Sequence, residues 1–165
     1  MNTTLVPLEE YLDTAYSPDR EYVDGVVVER HVGERSHSKV ISNFITFSWP
    51  HLNLYVWPSQ RVRTAATRSR VPDVCFTLED PETDVFETPP FVCIEILSRR
   101  DEASDLLEKL DEYARMGVPN IWVIDPRRKK AFTYRGNALD EVSGPALTTP
   151  DPALSISLDD VFSGL

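Results

Sequence analysis

Three short apolar runs, Val71–Leu78, Phe91–Leu97 and Asn120–Asp125, constrain this chain more than any other feature. Each has strand length and is rich in β-branched and aromatic residues. Between the second and third lies a helical pattern over Asp105–Gly117, with an apolar stripe of Leu106, Leu110, Tyr113 and Ala114 and a glycine as its stop. Strands this apolar need cover, and an amphipathic helix between two of them supplies it. The expected fold is α/β: a central mixed sheet flanked by helices.

The flanking segments fit that plan. Pro7–Leu12 reads as a short helix with proline in its first turn. Arg20–Val23 and Val26–Arg30 flank Asp24-Gly25, a strong hairpin signal. Glu34–Trp49 is helical, with His37, Ile41, Phe44, Ile45 and Ser48 on one face, and Pro50 disfavours its continuation. Leu54–Trp57 begins a strand that runs on toward Val62, and Ala131–Tyr134 forms another. The tail reads mostly as turns around Pro145, Pro150 and Pro152, with an apolar end at Leu158–Phe162. At 165 residues, with no linker or repeat, the expectation is one domain over 1–165.

Composition removes several classes. An apolar fraction of 41% with 27% charge is that of a globular protein. No apolar run approaches the ~20 residues a membrane span needs. The first residues lack a basic region followed by an apolar stretch, so a cytoplasmic location is expected. Cys75 and Cys93 lie in strand-like runs and read as buried free thiols. His31, His37 and His51 are not spaced to complete a zinc site with them.

The net charge of −10 opposes long-range attraction to nucleic acid. The basic residues are nonetheless clustered: Arg61/Arg63/Arg68/Arg70, Arg99/Arg100 and Arg127/Arg128/Lys129/Lys130. Each cluster is either part of a local basic patch or ordinary solvated charge.

Two carboxylates stand out. Asp73 interrupts Val71–Phe76 and Glu95 interrupts Phe91–Leu97. A buried carboxylate costs several kcal/mol unless a cation or hydrogen-bond donors compensate it. Strand alternation puts Asp73 with Cys75, and Glu95 with Cys93 and Leu97, so neighbouring strands would project both acids from one side of the sheet. Two such oxygen donors, with water completing the shell, suit Mg²⁺ or Mn²⁺. The alternative is that each acid is paired with an arginine or caps a turn.

Pro72-Asp73 followed by Glu95 in the next apolar strand resembles the PD-(D/E)XK nuclease signature. Glu95-Ile96-Leu97-Ser98, then Asp105, Lys109 and Tyr113, then Gly117-Val118-Pro119-Asn120-Ile121-Trp122-Val123-Ile124-Asp125-Pro126, resembles the Uma-type family of restriction endonuclease-like proteins. Tyr22-Val23-Asp24-Gly25 and His37 match that family's pattern too, and the resemblance covers roughly residues 5 to 135. It implies a restriction-endonuclease-like core, a Mg²⁺- or Mn²⁺-dependent endonuclease, and DNA as substrate. A homodimer would suit the cutting of both strands.

The chain departs from the superfamily in one place: Leu97 stands where the motif lysine belongs. The resemblance implies that the lysine comes from the following helix, as Lys109, which Asp105 could hold. The alternative is a surface Asp105–Lys109 pair. Glu21 corresponds to the further acid often found beside the metal, or else is a solvent-facing strand end. His37 is either a base or phosphate contact or a core-edge residue with one hydrogen bond. Gln60 and Arg61 could line the rim, whereas Tyr113 and Trp122 read as core. The functional expectation is thus an endonuclease using Asp73 and Glu95 for metal, Lys109 for charge stabilisation, and Glu21 and His37 in support. The alternative is a nuclease fold serving as a catalytically inactive binding or regulatory module, which the acidic charge and Leu97 both favour.

Overall fold

The structure, a computed structural model, describes residues 4–30, 33–48 and 53–165. Among them run α1 (Leu8–Asp13), β1 (Arg20–Val23), β2 (Val26–Glu29), α2 (Arg35–Ser48), β3 (Tyr55–Pro58), β4 (Val62–Ala65), β5 (Arg68–Arg70) and β6 (Val74–Thr77). There follow β7 (Val92–Ile96), α3 (Ala103–Met116), β8 (Asn120–Asp125), β9 (Lys130–Arg135), β10 (Ala138–Glu141), β11 (Ala146–Pro150), β12 (Ala153–Ser157) and α4 (Leu158–Val161). His31, Trp49, Pro50 and His51 lie outside the described residues.

The central sheet is mixed and six-stranded, in the order β10-β9-β8-β7-β6-β3. Its one parallel pair is β7–β8, joined by α3, because a parallel return needs a crossover and this helix provides it. Alternation divides the core in two. Val74, Phe76, Ile94, Ile96, Trp122 and Ile124 face α2, through Val40 and Phe44, and the hairpin β11–β12, through Leu147, Leu154 and Ile156. Cys75, Cys93, Ile121 and Val123 face Leu110 and Tyr113 of α3. Cys75 and Cys93 are cross-strand partners, free and buried.

The β1–β2 hairpin extends into a second sheet, in the order β2-β1-β5-β4, beside the central one. The strand starting near Leu54 does not run on toward Val62: the chain turns at Ser59 (φ 50°), and β4 joins the second sheet. The β1–β2 hairpin turns through Asp24 and Gly25, both at positive φ (48° and 91°), the geometry that favours Asp-Gly. The tail is a further correction. It contains three strands and a final helix, because Leu147, Leu154 and Ile156 alternate with polar residues and bury themselves, a pattern the prolines obscure. On α3, Ala114 is exposed and Glu112 is buried, so the stripe is partly charged.

Candidate active site

The register of β6 on β7 pairs Val74 with Ile94 and Cys75 with Cys93, and Asp73, the residue before β6, reaches the Ile96 amide next to Glu95. Asp73 lies just before β6 rather than within it, and both carboxylates are buried, at 6% exposure each. Like charges brought this close disfavour one another's ionisation, and here they do so away from water. They line a cavity of about 370 Å³ together with Glu21, Arg30, His37, Arg70 and Lys109. The hairpin β1–β2 forms one wall and the first turns of α3 another.

The two acids are held differently. Asp73 Oδ1 accepts a hydrogen bond from Arg30 Nη2 at 2.7 Å, and Oδ2 accepts one from the Ile96 amide at 2.8 Å. His37 Nε2 stands 3.2 Å from the same Oδ2. Burial works against the Asp73 carboxylate, but His37, Arg30 and the Ile96 amide outweigh it and hold its pKa below the ordinary value. Glu95 has less support. Its Oε1 accepts the Tyr113 hydroxyl at 2.6 Å, and its Oε2 lies 3.8 Å from Lys109 Nζ, beyond hydrogen-bond reach. Burial pushes the Glu95 pKa up to about 7, against the opposing pull of Lys109 and with the help of Asp73 and Glu21.

Lys109 does not pair with Asp105 as expected; its Nζ reaches Glu21 Oε1 at 2.9 Å and points toward Glu95. Burial opposes the ammonium, yet Glu95 and Glu21 hold its pKa above the ordinary value. Glu21 is not a solvent-facing strand end: it is 2% exposed, with Oε2 taking Arg70 Nη1 at 3.0 Å and Oε1 taking the Val71 amide at 3.3 Å. Both its oxygens therefore serve cations and backbone, so Glu21 positions Lys109. His37 lines the cavity with Nε2 toward Asp73, and its buried Nδ1 has no hydrogen-bond partner among the described residues. Burial disfavours the imidazolium, but Asp73 dominates and raises the His37 pKa.

Gln60 and Arg61 do not line this cavity. Gln60 bonds to the Arg61 and Asp84 carbonyls, and Arg61 binds the carbonyls of Leu12 and Thr14 at the end of α1. Four participants were not legible as such in the sequence: Arg30, Arg70, Glu112 and Tyr113. Arg70 is 4% exposed and gripped by Glu112 through Nε (3.0 Å) and Nη2 (2.6 Å). Arg68 adds further bonds to Glu112, Glu108 and Asp24. The one available signal was Arg68 and Arg70 in a short strand, which alternation sends to a single face.

Among the described residues no three of His, Cys, Asp and Glu converge as a ready-made metal cage. The donors suit instead a hard, partly hydrated divalent ion held by two carboxylates, and burial is the main cause of the raised Glu95 pKa.

Comparison with known proteins agrees with this architecture. The Uma2 family, described as "Putative restriction endonuclease", matches residues 8–162. The chain belongs to that family. No curated protein matches it. Among solved structures, "a putative nuclease belonging to DUF820" from Anabaena variabilis ATCC 29413 shares the fold, with a TM-score of 0.77 at 23% identity over 96% of this chain and 98% of that one. No helix among the described residues is long and apolar enough to cross a membrane.

The Glu95 environment of this Uma2 protein predicts how its stability varies with pH. In the folded chain Glu95 keeps its proton up to about pH 7, whereas in the unfolded chain it loses it near 4.5. The folded state thus binds the extra proton across that window, and stability falls as pH rises through it. His37, with its raised pKa, acts in the same direction at the upper end. Relative to Glu95→Gln, the metal-free wild type is expected to lose roughly 2–3 kcal/mol between pH 4.5 and 8. Urea unfolding of both proteins at the two pH values measures this, and parallel pH profiles would contradict the stated environment of Glu95.

Proposed function

We propose that this protein is a Mg²⁺- or Mn²⁺-dependent endonuclease that hydrolyses DNA phosphodiester bonds. The observation that carries the reading is the convergence of Asp73 and Glu95 on one cavity, with the Lys109 ammonium 3.8 Å from Glu95. A divalent ion bound there would supply Lewis acidity toward a phosphate group under attack. Asp73 and Glu95 would hold it. Lys109, fixed by Glu21 and indirectly by Arg70, presents a preorganised positive charge to the phosphate oxygens as negative charge builds on them. His37 orients Asp73 through Oδ2. Tyr113 fixes one Glu95 oxygen and leaves the other directed toward Lys109.

The acidic balance of the chain weakens long-range attraction to DNA, but the basic clusters divide in use. Arg61, Arg63, Arg68 and Arg70 are engaged by internal partners. Arg99/Arg100 and Arg127/Arg128 instead follow the carboxyl ends of the parallel strands β7 and β8. That is the end where Leu97, Ser98 and Asp101 line the cavity. Arg127 and Arg128 are exposed and only 3.9 Å from Asp125, a loose pairing. They are the expected phosphate contacts. Arg127→Glu combined with Arg128→Glu is expected to weaken duplex binding at least about tenfold near 0.1 M salt and to flatten the salt dependence by roughly one per lost contact. Fluorescence anisotropy against salt concentration checks it, and an unchanged slope would place the DNA elsewhere.

A second reading, a nuclease fold that binds without turnover, draws support from Asp73 being already paired with Arg30 and His37. One experiment separates the two. Under the first reading, Mg²⁺ or Mn²⁺ raises the melting temperature, as binding to the native state must, and permits nicking of plasmid DNA that a chelator stops. Under the second, neither effect occurs. A homodimer is the assembly proposed for cutting both strands, and sedimentation of the protein on duplex DNA would test it.

A further inference from the structure

Arg70, Lys109 and Arg30 each touch a cavity carboxylate, and they are not equally fixed. Arg70 is 4% exposed and holds both Glu112 and Glu21 through three bonds. Lys109 is bonded to Glu21 at 2.9 Å and faces Glu95. Arg30 differs from both. It follows the last residue of β2, its side chain is 17% exposed on the cavity wall, and its only side-chain partner among the described residues is Asp73 Oδ1.

We propose that Arg30 is a resident counter-ion that competes with the divalent cation for Asp73, and that a substrate phosphate draws it away, making metal and DNA binding cooperative. This rests on the nuclease reading above. The two oxygens of Asp73 differ in how replaceable their partners are. Oδ2 is held twice, by His37 Nε2 at 3.2 Å and by a backbone amide of β7, which cannot leave without unzipping the strand. Oδ1 is held by a flexible side chain, so it is the oxygen that can be released to an ion. A guanidinium and a divalent cation on the same carboxylate repel each other, and in a buried cavity the repulsion is weakly screened.

Guanidinium is also the side-chain group best shaped for a phosphate, which it grips with paired N–H donors. Turned from Asp73 into the cavity, Arg30 meets incoming phosphate oxygens while Oδ1 becomes free. Each ligand thereby removes the obstacle to the other, and the coupling is reciprocal by linkage. In the absence of DNA the protein would hold its metal weakly, which restrains cleavage chemistry until substrate is in place.

The test is Mn²⁺ affinity, read from the electron paramagnetic resonance signal of free Mn²⁺, so that no turnover is needed. Arg30→Gln is expected to bind Mn²⁺ roughly tenfold more tightly than wild type without DNA, within the range typical of coupled sites. A phosphorothioate duplex is expected to tighten wild-type Mn²⁺ binding by a similar factor and to affect Arg30→Gln less. The wild-type measurement stands even if the variant fails to fold. If Arg30→Gln binds no more tightly, or the duplex leaves wild-type affinity unchanged, while Asp73→Asn still abolishes binding, the role of Arg30 is overturned and the metal site survives. If neither Asp73→Asn nor Glu95→Gln weakens Mn²⁺ binding, the nuclease site itself fails, and this inference with it.

Discussion

Replacing Asp73 or Glu95 by alanine is expected to lower metal-dependent DNA cleavage by roughly a thousandfold or more, the scale of losing a preorganised electrostatic element of a transition state. The two substitutions should differ in everything except activity. Asp73→Ala leaves the Arg30 guanidinium and the Ile96 amide without their shared acceptor, so a stability loss accompanies the loss of activity. Asp73→Asn keeps an oxygen for Ile96 and separates the chemical effect from the structural one. Glu95→Ala removes a carboxyl whose ionised form is poorly compensated, so little stability should be lost above pH 7. Plasmid nicking with Mn²⁺, alongside thermal melts showing that each variant is folded, provides the measurement. Cleavage that persists in both alanine variants rules out this pair as the catalytic centre.

The largest expected effect on stability lies one layer behind the site. Arg70→Met should destabilise the protein by about 3–5 kcal/mol, because Glu112 and Glu21, 3% and 2% exposed, lose their buried cation. Arg68 and Lys109 remain as partial compensation, which favours the lower part of that range. The double variant Arg70→Met with Glu112→Leu removes both charges of the main pair and is expected to recover much of the loss. Activity should not recover with it. Glu21 would still lack the Arg70 contact that fixes it, and the Lys109 ammonium would be less well placed. Urea unfolding of the three proteins gives the energies, and a single-variant loss below about 1 kcal/mol would show that the network is not a stability element.

Under the proposed reading, this layered arrangement supplies the ammonium without a lysine in the second strand. Leu97 lines the cavity, but the ammonium arrives from α3, and its position is set by a chain of contacts from Lys109 to Glu21, Arg70 and Glu112. Glu112 lies on α3 itself, so the helix that carries the lysine also anchors the network that aims it. The second sheet brings Glu21 and Arg70 against that helix, from the adjacent strands β1 and β5.

The sequence by itself determined what depends on local rules. Alternation decides that Asp73 and Cys75 share a face, that Cys93 and Glu95 share one, and that Asn120–Asp125 is buried throughout. Asp-Gly decides the β1–β2 hairpin, and Gly117 ends α3 at positive φ (100°) because only a left-handed residue closes the helix there without strain. The apolar and acidic residues of the site announce themselves because an acid within an apolar run demands an explanation. Only the tertiary structure decided which cation answers which acid. Arg30, Arg70 and Glu21 are far in sequence from their partners, and nothing in their own neighbourhoods marks them as buried. Long charged side chains carry no periodic signature of burial, since the same residue is equally at home in water. Their roles arise from strand order and from the electrostatic demand of a low-dielectric cavity, both of which exist only once the sheets have assembled.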